Sequence, residues 1–284
     1  MTQRPPSPIG VFDSGLGGLT VAKALAERLP HEQLVYLGDT ARVPYGTRSP
    51  ATVVRYARNN VAFLRKQGVK LVVVACNTVS AHGLAGLTDG GDLPIVGVIR
   101  PGARAALAAS SGGTLAVLGT PGTIRSGAYE QAVHELDPER EVVSIACPLF
   151  VPLVEEGWTQ HAVTTAVARE YLEPLRGSRV DTLILGCTHY PLLRETITAV
   201  ATELLGREIA IVDSASAVAS DVAALLEKLG LTAPSFDATG EETRPPAHRF
   251  CVTDAPDRVG EVALQFFGRS IGAFEHVDVL PSPA

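Results

Sequence analysis

In Leu71-Val72-Val73-Val74-Ala75-Cys76-Asn77-Thr78, an unbroken apolar run leads directly into a cysteine. A short run rich in Val and Leu, without alternation, is typical of a strand buried on both faces of a parallel sheet. A second run, Leu183-Ile184-Leu185-Gly186-Cys187-Thr188-His189, ends in the same way. Residues just past the carboxyl ends of parallel strands line the ligand crevice of open α/β sheets. The two runs therefore predict two related thiol-bearing loops that can flank one substrate from opposite sides, as inversion of a chiral centre requires.

Matching segments along the chain indicate an internal repeat. Alternating strands and helices are predicted, with strands at residues 9–12, 34–37, 71–75, 95–99, 115–118 and 183–185. Glycine loops follow the strands at 9–12 and 115–118, and the distance between them is close to the distance between the two cysteine loops. We predict an α/β fold of two similar domains with mostly parallel sheets, related by a pseudo-twofold axis, with the active site in the cleft between them.

The domain boundaries follow from this repeat. We expect a first domain of residues 1–98 plus 210–284 and a second of residues 99–209. A helix at 216–229 and the segment 249–267 have no counterpart in the repeat, so we expect the tail to return to the first domain. The stretch 232–247 is rich in Pro, Gly and Thr and predicts a loop.

Composition limits the function classes. The chain has 284 residues, of which 46% are hydrophobic and 19% charged, typical of a globular protein with one or two cores. Its net charge of -6 and lack of a basic run predict no nucleic-acid partner. No apolar stretch approaches the roughly 20 residues that span a bilayer, and the N-terminus lacks a secretory signal, so we expect a cytoplasmic protein without a membrane partner. The 4 cysteines favour reduced thiols over a disulfide framework.

The first glycine loop, Asp13-Ser14-Gly15-Leu16-Gly17-Gly18, matches neither a Walker loop nor a dinucleotide fingerprint. Its backbone N–H groups can approach an anion such as a carboxylate, or the loop is simply a tight strand-to-helix turn. Asp13 and Ser14 favour the first interpretation, because they can bind an ammonium and a carboxylate. In the second loop, Thr120 and Thr123 can bind a second carboxylate or cap a helix, and capping is the simpler interpretation for either alone.

The cysteines carry the candidate chemistry. A thiolate at a helix N-terminus or near a cation has a pKa below the usual ~8.5 and can act as a base, while its thiol partner acts as an acid. A single buried cysteine is more often an inert core residue, but a matched pair favours function. His189 follows Cys187 closely enough to tune that thiol. Cys147 and Cys251 lie in apolar surroundings and are predicted to be core residues.

Six motifs resemble one known family. They are Ile9-Gly-Val-Phe-Asp13-Ser14-Gly-Leu-Gly-Gly-Leu-Thr, Gly38-Asp39-Thr-Ala-Arg42-Val-Pro44-Tyr45-Gly46, Ala75-Cys76-Asn77-Thr78, Leu118-Gly-Thr120-Pro-Gly-Thr123-Ile, Cys147-Pro-Leu-Phe-Val-Pro-Leu-Val-Glu155 and Gly186-Cys187-Thr188-His189-Tyr190-Pro191. Together they span nearly the whole chain, and the chain resembles the glutamate racemase family. The resemblance implies a cofactor-independent isomerase that interconverts L- and D-glutamate and supplies D-glutamate for peptidoglycan synthesis and cell shape. It also implies a cytoplasmic homodimer without a metal.

The resemblance further implies the roles of individual residues. Cys76 and Cys187 are implied as the acid and base on opposite faces of the substrate Cα. Four residues are implied as their catalytic support: Asp13, Asp39, Glu155 and His189. Contacts to the amino acid are implied for Asp13, Ser14, Pro44, Tyr45, Gly46, Asn77, Thr78, Thr120, Thr123 and Thr188.

Three alternatives remain open from the sequence. A cysteine hydrolase can use Cys187 with His189 and a carboxylate as a nucleophilic set, but it does not need the thiol loop at Cys76. A metal-binding module can recruit the same three residues, although no short Cys-x-x-Cys spacing is present. A related racemase for aspartate or hydantoins shares the cysteine pair. The Asp13-Ser14 and Pro44-Tyr45-Gly46 motifs favour glutamate.

Overall fold

The molecule contains two parallel sheets. Its structure is a computed structural model, which describes residues 7–87, 93–235, 246–254 and 259–279. The first sheet has the strands β1 (Ile9–Asp13), β2 (Leu34–Gly38), β3 (Leu71–Val74), β4 (Ile95–Gly97), β9 (Arg249–Val252) and β10 (Glu275–His276). The second has β5 (Thr114–Gly119), β6 (Val142–Ala146), β7 (Val180–Gly186) and β8 (Ala210–Asp213). Every strand pair in the described residues is parallel. The predicted α/β fold with two parallel sheets is confirmed.

The predicted repeat is visible in the order of the strands. The first sheet runs β10-β9-β2-β1-β3-β4, and the second runs β6-β5-β7-β8. In both sheets a central strand, β1 or β5, lies between the strand that follows it in the chain and the strand that leads to a cysteine. The strands that lead to the two cysteines, β3 and β7, thus occupy equivalent positions. The order β2-β1-β3-β4 in the first sheet matches the order β6-β5-β7-β8 in the second.

Helices connect and cover the strands. They are α1 (Leu19–Arg28), α2 (Pro50–Lys66), α3 (Asn77–Gly83), α4 (Ile99–Ala109), α5 (Pro121–Arg125), α6 (Ala128–His134), α7 (Phe150–Glu155), α8 (Ala162–Leu172), α9 (Arg194–Leu205), α10 (Ser214–Leu229) and α11 (Val259–Phe267). Local signals explain several boundaries. Ser49 caps α2 by accepting from the Thr52 N–H at 3.4 Å, and Pro50 occupies its first turn.

The strand predicted at 95–99 was too long. β4 ends at Gly97 and α4 begins at Ile99. Proline fits the first turn of a helix, so Pro101 belongs to the start of α4 rather than to a loop after a strand. The apolar character of residues 98 and 99 reflects burial at a helix start, since Val98 and Ile99 are both buried.

The tail returns to the first sheet as predicted, since β9 pairs with β2 and β10 pairs with β9. β8 pairs with β7, however, so residues 210–213 belong to the second sheet. The division into a first domain of residues 1–98 plus 210–284 and a second of residues 99–209 stays a proposal. Most of the loop predicted at 232–247 lies outside the described residues.

Helix α10 lies where the two sheets meet. It packs on α1 of the first half and on α4 of the second. One continuous apolar core contains residues from both sheets, among them Val11 of β1, Leu185 of β7 and Val218 of α10. Two smaller cores cover the opposite faces of the sheets. Burial of apolar side chains on both faces explains why the strands are apolar without alternation.

Candidate active site

Both predicted catalytic cysteines lie just past the ends of equivalent strands. Cys76 follows β3 and is 5% exposed, and Cys187 follows β7 and is 6% exposed. Cys76 also directly precedes Asn77, the first residue of α3. The two thiols interact electrostatically, because a negative charge on Cys187 raises the pKa of Cys76. The fold thus brings two buried thiols from distant parts of the chain into one region.

A buried carboxylate supports the first thiol. Asp13 is fully buried, and its Oδ2 atom accepts hydrogen bonds from the N–H groups of Gly15 at 3.1 Å and Gly18 at 3.0 Å. Its Oδ1 atom has no hydrogen-bond partner among the described residues. The Cys76 thiol donates to Ser14 Oγ at 3.6 Å. The free Oδ1 oxygen therefore offers a buried acceptor in the surroundings of Cys76.

Burial is the main cause of the pKa shifts of Asp13 and Cys76. Burial raises the pKa of the Asp13 carboxyl, although the nearby His189 charge and the backbone N–H groups act in the opposite direction. Burial and the charge of Asp13 raise the pKa of Cys76 to about 12. The position of Cys76 before a helix N-terminus does not lower its pKa, because desolvation outweighs the opposing effects of Val79 and Ser14.

A histidine and a glutamate support the second thiol. His189 Nδ1 lies 3.9 Å from the Cys187 sulfur and 3.4 Å from Thr188 Oγ1. Its Nε2 atom lies 3.1 Å from Glu155 Oε1 at the end of α7. The ring of Phe266 packs edge-on against the imidazole, with the ring centres 5.1 Å apart. The imidazole is thus held between a thiol and a carboxylate.

This arrangement favours a charged imidazole beside Cys187. Burial alone lowers the pKa of His189, but the hydrogen bonds to Cys187 and Glu155 outweigh it and raise the pKa to about 10. A cation beside a thiol stabilises the thiolate. The two cysteines therefore have different environments, since the Asp13 carboxylate lies near Cys76 and the His189 imidazole lies near Cys187.

Gly17 connects the two halves of the site. A Cβ atom at Gly17 would lie only 2.4 Å from Thr188 Oγ1 and 2.5 Å from His189 Nδ1. The hydroxyl of Thr20, in the first turn of α1, also donates to the Thr188 carbonyl at 3.3 Å. The glycine loop after β1 therefore packs directly against the cysteine loop after β7, which requires a residue without a side chain at position 17.

Three predicted substrate-binding threonines form one hydroxyl cluster. Thr78 Oγ1 lies 3.0 Å from Thr120 Oγ1 and 3.3 Å from Thr123 Oγ1. Thr120 also caps α5 by accepting from the Thr123 N–H at 3.3 Å, so the capping prediction holds as well. The Gly46 carbonyl accepts from the Gly122 N–H at 3.0 Å. The loop that carries Gly46 is thereby held against this cluster.

Asp39 lies with the Pro44-Tyr45-Gly46 loop, and none of its hydrogen bonds among the described residues reaches a cysteine. The Tyr45 hydroxyl and the Thr253 hydroxyl both donate to the Asp39 carboxylate, the latter at 3.1 Å. Arg42 Nε donates to its Oδ1 atom at 2.9 Å. The peptide bond before Pro44 is cis. Asp39 thus anchors the loop that carries three predicted substrate-binding residues.

Two residues near the cysteines escaped the sequence interpretation. Tyr129 of α6 is buried and its hydroxyl donates to Asn77 Oδ1 at 2.7 Å. Ser214, the first residue of α10, lies beside the same tyrosine and acts to lower the pKa of its phenol against the larger effect of burial. Tyr129 lies within α6, and Ser214 follows β8 without a recognisable motif, so only the packing of α6 and α10 reveals them. Cys147 and Cys251 are buried, in agreement with their predicted places in the core.

Two further properties concern metals and membranes. Among residues 7–87, 93–235, 246–254 and 259–279, no three His, Cys, Asp or Glu side chains form a group that could hold a metal ion. The metal-binding alternative thus gains no support from the geometry. In the same part of the chain, none of the helices is both long enough and apolar enough to cross a membrane.

Comparison with known proteins decides the family. Residues 18–222 match the family described as Asp/Glu/Hydantoin racemase. The chain belongs to the Asp/Glu/Hydantoin racemase family. It is therefore an isomerase of the amino-acid racemase class. Relatives of this racemase cover nearly its full length.

Three relatives illustrate the similarity. A glutamate racemase of Syntrophus aciditrophicus is 48% identical over 272 residues, which are 96% of this chain and 97% of that protein. The crystal structure of a glutamate racemase isoform from Bacillus anthracis has a TM-score of 0.88 and 40% identity, covering 98% of this chain and 99% of the other. A glutamate racemase from Francisella tularensis in complex with D-glutamate has a TM-score of 0.86 and 36% identity, covering 96% and 98%.

Proposed function

We propose that this racemase interconverts L- and D-glutamate without a cofactor, with Cys76 and Cys187 as the two proton-transfer groups. The observation that carries the proposal is the placement of two buried thiols just past the ends of the equivalent strands β3 and β7. The near full-length similarity to glutamate racemases supports glutamate as the substrate.

The proposed reaction has two proton transfers. One cysteine, as a thiolate, removes the proton from the substrate Cα, and the C–H electron pair delocalises into the carboxylate. The other cysteine, as a thiol, delivers a proton to the opposite face and becomes the thiolate. The roles of Cys76 and Cys187 reverse for the other enantiomer. The substrate is neither oxidised nor reduced, so the reaction requires no redox partner.

The surroundings of each thiol suit this exchange of roles. On the side of Cys187, Glu155 favours the charged form of the His189 imidazole, whose Nδ1 atom lies 3.9 Å from the sulfur. On the side of Cys76, burial and Asp13 favour the thiol in the absence of substrate. The free Oδ1 oxygen of Asp13 can accept from the substrate ammonium, which neutralises the carboxylate and makes the Cys76 thiolate less costly.

Other side chains are proposed to hold the substrate. An α-carbanion needs fixed donors around the carboxylate, because negative charge moves onto it as the proton leaves. Hydroxyl, amide and backbone donors of this kind are available in the cysteine loops, in the two glycine loops and in the Pro44-Tyr45-Gly46 segment. The proposed contacts are Asp13, Ser14, Pro44, Tyr45, Gly46, Asn77, Thr78, Thr120, Thr123 and Thr188. Asp39 is proposed to support them through Tyr45.

The experiment that tests the proposal is hydrogen exchange in deuterated water. Purified protein is incubated with L-glutamate or D-glutamate, without an added cofactor, and NMR follows loss of the Cα proton. We expect exchange and formation of the opposite enantiomer from both substrates. No exchange from either would overturn the proposal. Parallel incubation with L-aspartate tests the aspartate alternative, and mass spectrometry for a covalent acyl-enzyme tests the cysteine-hydrolase alternative.

Three broader features are part of the proposal. The D-glutamate product would serve peptidoglycan synthesis and cell shape, the enzyme would act in the cytoplasm, and it would form a homodimer. These features rest on the family resemblance. Light scattering of the purified protein tests the dimer, and D-glutamate rescue of cells that lack the gene tests the role in the cell wall.

A further inference from the structure

The hydroxyl of Tyr129 contacts the residue that follows the first cysteine. Tyr129 is 2% exposed and donates to the side-chain oxygen of Asn77 at 2.7 Å. Asn77 is itself 3% exposed and begins α3 directly after Cys76. A carboxamide has one acceptor oxygen and one donor nitrogen, which differ little in shape. A hydroxyl donor on the oxygen side therefore determines which way the donor nitrogen of Asn77 faces.

A second hydroxyl lies beside the first. Burial raises the pKa of the Tyr129 phenol, and the neighbouring Ser214 side chain acts in the opposite direction, as a donor near the phenolic oxygen does. The proton of Tyr129 goes to Asn77, so its oxygen is left as an acceptor near Ser214. Ser214 is 5% exposed, so water has little access to these two hydroxyls. Ser214 thus adjoins Tyr129, and Tyr129 bonds to Asn77.

Two glycines let the tyrosine ring approach this position. A Cβ atom at Gly102 of α4 would lie 3.2 Å from Ser214 Cβ and 3.4 Å from the Tyr129 hydroxyl oxygen. A Cβ atom at Gly186, the residue before Cys187, would lie 3.1 Å from Tyr129 Cε2. The Tyr129 ring therefore packs against the second cysteine loop while its hydroxyl bonds to the first.

We propose that Tyr129 is a positioning residue that locks the Asn77 carboxamide with its NH₂ group available to the substrate carboxylate, and that Ser214 fixes the tyrosine hydroxyl for this purpose. The proposal rests on the proposed function for its substrate. An amide held in one orientation costs no reorganisation when charge develops on the carboxylate, whereas a freely rotating amide presents its oxygen to that charge part of the time.

The test is a double-mutant cycle on glutamate turnover. Tyr129→Phe keeps the ring and removes the hydroxyl, and we expect kcat/KM to fall about tenfold, as loss of one buried hydrogen bond predicts. In the Asn77→Ala background the same change should have almost no further effect, because Tyr129 acts through Asn77. A merely structural tyrosine would lower activity by the same factor in both backgrounds, and this result would overturn the proposal, as would unchanged activity of Tyr129→Phe.

Two further variants provide a control and a second test. Tyr171→Phe also removes a hydrogen-bonded hydroxyl from the second half of the molecule, where it accepts from the Leu149 N–H at 3.1 Å, and should leave kcat/KM unchanged. Ser214→Ala keeps both Tyr129 and Asn77 and should lower kcat/KM about threefold, again only when Asn77 is present. Ser214→Ala decides the question if Tyr129→Phe fails to fold, and an equal loss in both backgrounds would overturn the proposal.

A substrate-free measurement separates this inference from the proposed function. The side-chain NH₂ resonances of Asn77 are identified in an NMR spectrum by their loss in Asn77→Ala. We expect them to move in Tyr129→Phe and to stay in place in Tyr171→Phe. Unmoved resonances would overturn the positioning role even if glutamate is the substrate. Moved resonances in a protein that does not turn over glutamate would support the orientation of Asn77 and contradict only the proposed function.

Discussion

Gly17 and His189 are in such close contact that a methyl group on Gly17 would lie 2.5 Å from the imidazole Nδ1 atom. The two residues are far apart in the chain and come from loops after β1 and β7. The same imidazole nitrogen lies 3.9 Å from the Cys187 sulfur. The glycine loop of one half thus determines how closely the histidine of the other half can approach its thiol.

Gly17→Ala should therefore displace His189 and the Cys187 loop. We expect a loss of stability of about 1–3 kcal/mol from overpacking and a fall in kcat/KM of at least about tenfold. Chemical denaturation and glutamate turnover measure the two effects. Gly83→Ala is a suitable control, because its Cβ atom would meet Val54 at an ordinary distance of 3.6 Å. Full activity of Gly17→Ala would contradict the proposed need for this close packing.

Replacement of either candidate catalytic thiol should stop racemisation. Cys76→Ser and Cys187→Ser remove one acid/base group each, so we expect turnover in both directions to fall by at least about 10³-fold. Each variant can still exchange the Cα proton of one enantiomer, which NMR in deuterated water detects. Cys251→Ala removes a buried thiol of the first sheet and should stay active. Near wild-type racemisation by either serine variant would rule out the two-thiol mechanism.

The pH dependence of activity should report the Glu155–His189 pair. The pKa of His189 is raised to about 10, in part by Glu155, so the imidazolium persists through neutral pH. Glu155→Gln removes this contribution, and the alkaline limb of the kcat/KM profile should move to lower pH. Glu156→Gln changes the adjacent carboxylate and should leave the limb in place. An unchanged limb in Glu155→Gln would show that the imidazolium is not required.

The same pair should contribute to stability in a defined pH range. A histidine whose pKa is raised from 6.5 to about 10 on folding stabilises the native state fully below pH 6.5, and this stabilisation is lost as the pH rises to about 10. Glu155 is 46% exposed, so solvent screening limits its share to about 1 kcal/mol or less. The difference in Tm between wild type and Glu155→Gln should shrink from pH 6 to pH 10. A difference that grows with pH would contradict this assignment.

Alkylation should report the environment of Cys76. Burial and the Asp13 charge raise the pKa of this thiol to about 12, so iodoacetamide should label it slowly at neutral pH. Asp13→Asn removes the charge, which should lower the Cys76 pKa and speed its labelling, while racemisation falls. Mass spectrometry of the Cys76 peptide across a pH series measures the midpoint, with Asp221→Asn as a control far from the thiol. Slower labelling in Asp13→Asn would contradict the electrostatic role of Asp13.

Much of the site could be predicted from the sequence because its residues follow buried strands. Cys76 and Cys187 come directly after apolar runs, and in parallel sheets such positions meet at the ligand edge. The hydroxyl cluster of Thr78, Thr120 and Thr123 is assembled from two such edges. The length of β4 was harder to predict, since Val98 and Ile99 are apolar both in a strand and at the start of a buried helix.

Other features depended on contacts between distant segments. Asp39 binds Tyr45 within its own motif, but the hydrogen bond that it accepts from Thr253 comes from the tail and appears only in the folded chain. The raised pKa of Cys76 likewise reflects the balance between burial and local hydrogen bonds, which no local pattern contains.

The two cysteine loops, the parallel α/β halves, the family and the pairing of His189 with Cys187 could be recognised in the amino-acid sequence, because apolar runs and strand-end motifs are local and repeat along the chain. The influence of Asp13 on Cys76, the contact of Glu155 with His189 and the position of Tyr129 behind Asn77 appear only in the folded molecule. Burial, charge interaction and hydrogen-bond direction depend on distances between residues far apart in the chain, and packing of the two halves sets those distances.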